Sequence, residues 1–230
     1  MSTASHRPIR SFVRRQGRIT IAQRQALEAL LPNYRFTKEH ATKLLAADKQ
    51  LILEVGFGNG ETLLAMARER PEYFFIGAEV YRPGLGRCLL RTQQEQLDNI
   101  AVFDRDVNQL LTDVLPAHSL DQTCIFFPDP WPKKRHHKRR LVSRAFVQQL
   151  ATRTRVGGLL FMATDWRDYA TAILEVMAEQ RCWQNLSKTG NFVSRAIFRP
   201  LTRFERRGTQ LGHQVFDFRF QYQPTLNNPE

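Results

Sequence analysis

Residues 51–71 constrain the fold more than any other stretch. Leu51, Ile52, Leu53, Glu54 and Val55 form a short apolar run that ends at Gly56-Phe57-Gly58-Asn59-Gly60. Residues 62–70 then have helical composition and stop before Pro71. Strand, glycine turn and helix in that order open a nucleotide-binding α/β unit, because the glycines turn the backbone sharply and let a ligand approach it.

The same alternation continues downstream. An apolar run at 73–78 leads to Glu79, residues 84–97 suit a helix, and 100–103 make a third short strand. Residues 123–127 predict a fourth strand and 141–153 an amphipathic helix. Residues 159–163 predict a fifth strand ending at Thr164-Asp165-Trp166, and 169–179 a helix after it. Such alternation predicts a parallel sheet covered on both faces. The tail differs: 216–222 alternates strictly, the period of a half-buried strand, and follows a charged loop at 201–208 too polar for a core.

Residues 1–48 stand apart. Arg7, Arg10, Arg14, Arg15, Arg18 and Arg24 precede a helical patch at 22–31 closed by Pro32. We read 1–48 as a basic N-terminal arm, its beginning without fixed structure when no ligand is bound, and 49–230 as the α/β domain. Arg-rich and acid-poor, the start mimics an organelle transit peptide, but a binding arm fits the rest of the chain better.

The 230 residues carry a net charge of +12, which draws polyanions: nucleic acid first, an anionic membrane surface second. Cys88, Cys124 and Cys182 are scattered and odd in number, and the histidines lack a ligand spacing. Neither a disulfide framework nor a metal site is expected. No apolar run approaches the ~18 residues of a membrane span, and no apolar signal core opens the chain. These features predict a cytoplasmic protein with no structural metal and no obligate protein partner.

The acids near the predicted strand ends narrow the ligand. Gly56, Gly58 and Gly60 are spaced Gly-x-Gly-x-Gly, with Glu61 where a dinucleotide fingerprint places its third glycine. Glu61 and Glu54 would repel a pyrophosphate at the helix N-terminus. An adenosyl cofactor without phosphates, S-adenosylmethionine, suits them better, since an acid attracts its ammonium and sulfonium. Glu79, about twenty residues past the turn, is placed for ribose hydroxyls, and Asp106 for the adenine amino group. Each alone is an ordinary surface acid; together they outline a cleft.

Residues 126–140 supply the second half of a site. Pro128, Pro130 and Pro132 forbid a helix and fix the backbone around Asp129 and Trp131. Six Lys/Arg and two His follow in the eight residues from Lys133 to Arg140. Asp129 is suited to the N1–H and N2–H donors of guanine, with Lys133 or a neighbour reaching O6. Guanine N7 has a lone pair and no proton, so its methylation needs positioning and charge rather than a general base. Asp165 either shares this work or caps a helix, and Trp131 either stacks a base or packs in the core. The cationic strip is suited to RNA phosphates.

These blocks resemble the bacterial tRNA (guanine-N7-)-methyltransferase family: residues 54–60, Glu79, 127–140, Ala163-Thr164-Asp165-Trp166 and Thr202-Arg203-Phe204-Glu205-Arg206-Arg207-Gly208. The likeness runs from about residue 12 to the last strand. Asn59 and Tyr81 depart from the family's usual residues beside the cofactor. The resemblance implies a Rossmann-like, seven-stranded α/β methyltransferase sheet with helices on both faces. It implies transfer of a methyl group from S-adenosylmethionine to N7 of a guanosine in the tRNA variable loop. By position it assigns Glu54, Gly56, Gly58, Gly60, Glu79, Asp106 and Asp129 to the cofactor, with Asp129 also catalytic. It assigns Lys133, Asp165, Thr202, Arg203, Phe204 and Glu205 to the substrate, and Arg135, His136, His137, Lys138, Arg139 and Arg140 to RNA. Two rivals remain: an amino-methyltransferase of adenine or cytosine, and an RNA-binding protein with a vestigial fold.

Overall fold

The structure, a computed structural model, describes residues 17–201, 205, 212 and 214–224. Among them the chain runs α1 (Ile21–Ala29), α2 (Leu31–Tyr34), α3 (Lys38–Ala46), β1 (Leu51–Val55), α4 (Glu61–Glu69), β2 (Phe74–Ala78), α5 (Arg82–Gln94) and β3 (Ile100–Phe103). A short α6 (Val107–Gln109) passes into a π-helical turn, Leu110–Val114. Then come β4 (Leu120–Phe126), a 3₁₀ turn (Lys134–Arg139), α7 (Arg144–Arg153), β5 (Thr154–Thr164), α8 (Arg167–Ala178), β6 (Trp183–Asn185) and β7 (Phe216–Tyr222).

The strands form one seven-stranded sheet in the order β3-β2-β1-β4-β5-β7-β6. The first five are mutually parallel, as the alternation predicts, whereas β7 runs antiparallel to both β5 and β6. Period-two pleating sorts β1 cleanly: Leu51, Leu53 and Val55 enter one hydrophobic cluster and Ile52 the other, so both faces of the sheet are buried. Glu54 shares the Ile52 face.

Sequence periodicity places β5 from residue 159, but the strand begins at Thr154. Gly157 (φ +81°) and Gly158 interrupt the apolar pattern there, and the β4–β5 register shifts between Leu120 and Gln122. The expected helical patch at 22–31 splits into α1 and α2, with Pro32 in the first turn of α2.

Thr20 and Gln23 cap α1 reciprocally, the Gln23 N–H donating to Thr20 Oγ1 and the Thr20 N–H to Gln23 Oε1. Leu27 and Leu31 are buried on the face of the sheet that α4 and α5 cover. The α1 backbone passes so close to α5 that a Cβ on Gly86 would stand 2.6 Å from the Gln23 carbonyl oxygen. Arg35 continues the attachment: its Nε and Nη2 donate to the two carboxylate oxygens of Asp104, at 3.2 and 3.1 Å, just past β3.

Candidate active site

The strand order reverses between β1 and β4, and in an open α/β sheet ligands bind at the carboxyl ends of the strands flanking that point. Gly56, Glu79, Asp106 and Asp129 follow β1, β2, β3 and β4 respectively, and all four line one cleft of about 210 Å³. Val55, Ala78, Val80, Val107, Phe126 and Leu141 give it apolar walls, and Arg105 stands among them. Apart from Leu141, which follows the 3₁₀ turn, these wall residues lie at strand ends close to the acids, and no sequence motif marks them.

The glycine turn runs left-handed, with φ of +73° at Gly56, +57° at Gly58 and +78° at Gly60. A side chain at any of them would be strained, although a Cβ on Gly56 or Gly58 would meet no atom within 4 Å. The turn packs against the start of α5, where a Cβ on Gly84 would fall 2.1 Å from the Gly58 carbonyl oxygen.

Glu79 is held by backbone amides. Its Oε2 accepts from the Gly58 N–H at 2.8 Å, and its Oε1 from the N–H groups of Val80 and Tyr81 at 2.7 and 2.9 Å. Those bonds fill both lone pairs of Oε1 and leave one on Oε2. Burial raises the Glu79 pKa; the three amides pull it down and the charge of Asp129 adds to the rise. Asp106 caps α6, its Oδ1 accepting from the Asn108 backbone N–H at 3.0 Å and from Asn108 Nδ2 at 2.8 Å.

Glu54 lies behind the cleft wall rather than on it. It is 4 % exposed, and its Oε2 has no hydrogen-bond partner among the described residues. Burial, with the charge of Glu79 second, pushes its carboxyl up to about 8. Cys88 and Cys124 are near enough to feel its charge; burial pushes their thiols up to about 12, so neither is a nucleophile at neutral pH.

Asp129 is exposed at the cleft mouth. The turn that carries it is strained: Phe127 (φ +51°) and Trp131 (φ +47°) are bulky residues in the left-handed region, at a typical cost of about 1–3 kcal/mol each. Arg140 braces this turn from beneath. Its Nε donates to the Pro130 carbonyl oxygen at 2.9 Å, its Nη2 bonds Asp168, and its guanidinium lies 4.8 Å from the Tyr169 ring centroid.

The rest of the basic strip looks outward. Lys133, Lys134, Arg135 and Lys138 are exposed, whereas Arg140 is buried. Trp131 is half-buried, with Arg139 over its ring at 5.0 Å and His136 edge-on at 5.7 Å. Partial desolvation, then Arg139 and Arg135, hold the His136 imidazole below its usual range. Lys133, Asp165 and Glu205 do not line the 210 Å³ cleft. The N-cap position of α8 belongs to Trp166, whose N–H donates to Thr164 Oγ1 at 3.3 Å. Thr202, Arg203 and Phe204 lie outside the described residues.

An S-adenosyl group fits this cleft. The buried Glu54 oxygen without a partner, the free lone pair on Glu79 and the open space above Gly56 and Gly58 suit a cationic, hydroxyl-bearing ligand. Among the described residues no His/Cys/Asp/Glu group could hold a metal ion, and no helix is long and apolar enough to cross a membrane.

Known proteins share both the sequence and the fold. A methyltransferase family model, Methyltransf_4, matches residues 48–218. The tRNA (guanine-N7-)-methyltransferase of Nitrosococcus oceani is 50% identical over 218 residues, 93% of this chain and 91% of that one. The enzyme of the same name from Aeromonas hydrophila is 46% identical, covering 93% and 92%. The 16S rRNA methyltransferase KamB superposes with a TM-score of 0.60 at 15% identity, over 83% of this chain and 95% of its own. A 16S rRNA adenine methyltransferase of Catenulisporales acidiphilia with its cosubstrate SAM gives 0.58 at 15% identity, covering 85% and 95%.

Proposed function

We propose, for a chain that belongs to the tRNA (guanine-N7-)-methyltransferase family, that the cleft between β1 and β4 is where its reaction takes place. The protein transfers a methyl group from S-adenosylmethionine to N7 of a tRNA guanosine. The target we propose is a guanosine of the variable loop, and the compartment the cytoplasm, with no obligate protein partner. What supports the site is the meeting of three strand-end carboxylates, Glu79, Asp106 and Asp129, in one cleft over a glycine turn.

In this reading the roles divide as follows. Glu79 accepts from a ribose hydroxyl through its remaining Oε2 lone pair. Asp106 accepts from the adenine amino group, and Glu54 provides negative charge behind the glycine turn for the cofactor's cationic end. When bound, S-adenosylmethionine supplies an electrophilic methyl group on a sulfonium. Asp129 receives the N1–H and N2–H donors of the target guanine, Lys133 reaches O6, and Asp165 with residues 202–205 complete the grip on the nucleotide. N7 carries no proton, so no residue need act as a base; Asp129 orients the ring and offsets the positive charge that develops on it. Arg140 holds the Asp129 turn through Pro130.

RNA binding is assigned to the outward part of the strip. Lys134→Glu, Arg135→Glu and Lys138→Glu together are expected to weaken binding of all tRNAs. Each phosphate that is no longer neutralised lowers the salt slope by about 0.7–0.9, so the slope for the triple variant falls by about two to three units. Filter binding at several salt concentrations reads this; an unchanged slope means that the strip does not hold RNA. The activity itself is tested by incubating unmodified tRNA with methyl-labelled S-adenosylmethionine, digesting to nucleosides and mapping the label. Labelled N7-methylguanosine in the variable loop is expected, whereas a label elsewhere in the tRNA overturns the position.

A further inference from the structure

Arg199 is the largest of the fully buried side chains among the described residues, 1 % exposed, and nothing in the sequence motifs marks it. It binds two carboxylates. Its Nη1 donates to Glu205 Oε2 at 2.6 Å, and its Nη2 to Asp217 Oδ1 and Oδ2 at 3.0 and 3.1 Å. The guanidinium also lies 5.4 Å from the ring centroids of both Phe126 and Phe127. Three parts of the chain therefore meet on one cation: Glu205 of the block 202–205, Asp217 on β7, and the end of β4.

Position makes this meeting consequential. Asp217 pairs with Ala163 in the β5–β7 register, and the Phe127 N–H donates to the Ala163 carbonyl oxygen at 2.8 Å. Asp217, Ala163 and Phe127 are thus lateral neighbours where β7, β5 and β4 reach the active-site edge of the sheet. Phe127 holds its left-handed backbone two residues before Asp129. Such strain persists only where the surroundings over-determine it, and a planar cation over both rings is one such surrounding. A buried cation between two carboxylates is also costly to disturb, since removing one partner leaves uncompensated charge.

We propose that Arg199 is a positioning residue for methyl transfer, tying Glu205 to the Asp129 turn so that Glu205 and the strand-end acid Asp129 keep a fixed separation. This rests on the assignment of Asp129 and Glu205 to the substrate in the reading above. Arg199 itself touches neither substrate nor cofactor in this account; it acts through its two neighbours.

The test separates positioning from simple stability. Arg199→Lys keeps the charge but loses the fork geometry and the flat stacking surface. With tRNA and S-adenosylmethionine saturating, kcat is expected to fall about 10- to 100-fold, as a small misplacement of reacting groups does. The Kd for S-adenosylmethionine should stay within twofold, because Glu54, Glu79 and Asp106 are untouched. Glu205→Gln is expected to cost much less in the Arg199→Lys background than in wild type, the mark of two residues acting as one unit. A lower Tm with unchanged kcat per cofactor-binding site, or fully additive effects, overturns the proposal. Should Arg199→Lys not fold, Asp217→Asn gives the same readout: it loosens the bidentate anchor while leaving Arg199 and Glu205 paired, and an unchanged kcat there is equally decisive. Wild-type protein that makes no N7-methylguanosine would instead defeat the underlying functional reading.

Discussion

Asp129→Ala is expected to lower kcat about 10²- to 10³-fold, the range found when one preorganised polar group facing a developing charge is removed. Two features make the effect large and specific. Asp129 sits at the mouth of the cleft, on a turn held by the strained Phe127, the Arg140–Pro130 hydrogen bond and three prolines. A rigid acid is catalytically useful because its orientation is set before the substrate arrives. It is also exposed, so truncating it removes no buried packing. The variant should therefore bind S-adenosylmethionine within a few-fold of wild type and melt within a few degrees of it. Single-turnover methyl transfer, read beside cofactor binding, checks both halves; near-normal turnover makes Asp129 no more than a turn residue.

Glu54→Gln is expected to change stability with a sign that depends on pH. The folded-state pKa of Glu54 is raised to about 8, above the ordinary carboxylate value in the unfolded chain. Folded protein thus holds a proton that unfolded protein releases between about pH 4.5 and 8. Stability is therefore highest below the unfolded pKa and declines as pH rises through the folded one. At 1.36 kcal/mol per pH unit the accumulated penalty by pH 8.5 is about 4–5 kcal/mol. Glutamine does not ionise but leaves a buried amide, which offsets about 1–3 kcal/mol of the gain. The ligand-free variant is expected to melt about 5–10 °C above wild type at pH 8.5 and no higher at pH 5. A Tm difference independent of pH would mean that Glu54 does not titrate in this range. Cofactor affinity should move the other way, falling at least tenfold. Binding of a cation beside wild-type Glu54 near pH 7 should release protons, measurable by calorimetry in two buffers of different ionisation enthalpy.

The first half of the sheet was legible because its signals are local. β1 ends where apolar residues give way to glycine, and the acids after β2, β3 and β4 sit close to runs that any strand reading finds. What the sequence hid is long-range. Arg140 belongs to a run of cations that reads as one solvated strip, and only the packed chain shows its side chain turned inward to Pro130 and Asp168. Asp217 occupies the polar phase of an alternating strand, yet it is 7 % exposed because Arg199, eighteen residues earlier, covers it. The antiparallel placement of β7 also leaves no trace in alternation, which is the same for either direction. β6 is three residues long, too short for any period to register. Residues 20–46 read as part of a basic arm because arginines dominate the composition before them. Their buried positions, among them Leu27, Leu31, Phe36 and Ala41, pack on sheet strands and helices that come later in the chain, so only the folded protein shows the surface they join.

A larger cavity of about 710 Å³ is lined by Phe161, Phe192, Phe198, Lys188, Arg195 and Asp217 among others. Phe126 lines both cavities, but only the smaller one gathers the strand-end carboxylates and the edge of the glycine turn. The most direct measurement is a crystal structure of the protein with S-adenosylhomocysteine. The account predicts ribose against Glu79, adenine beside Asp106 and the sulfur end facing Asp129, with the 710 Å³ cavity empty of cofactor. Cofactor bound in that larger cavity, or a ribose out of reach of Glu79, would contradict it.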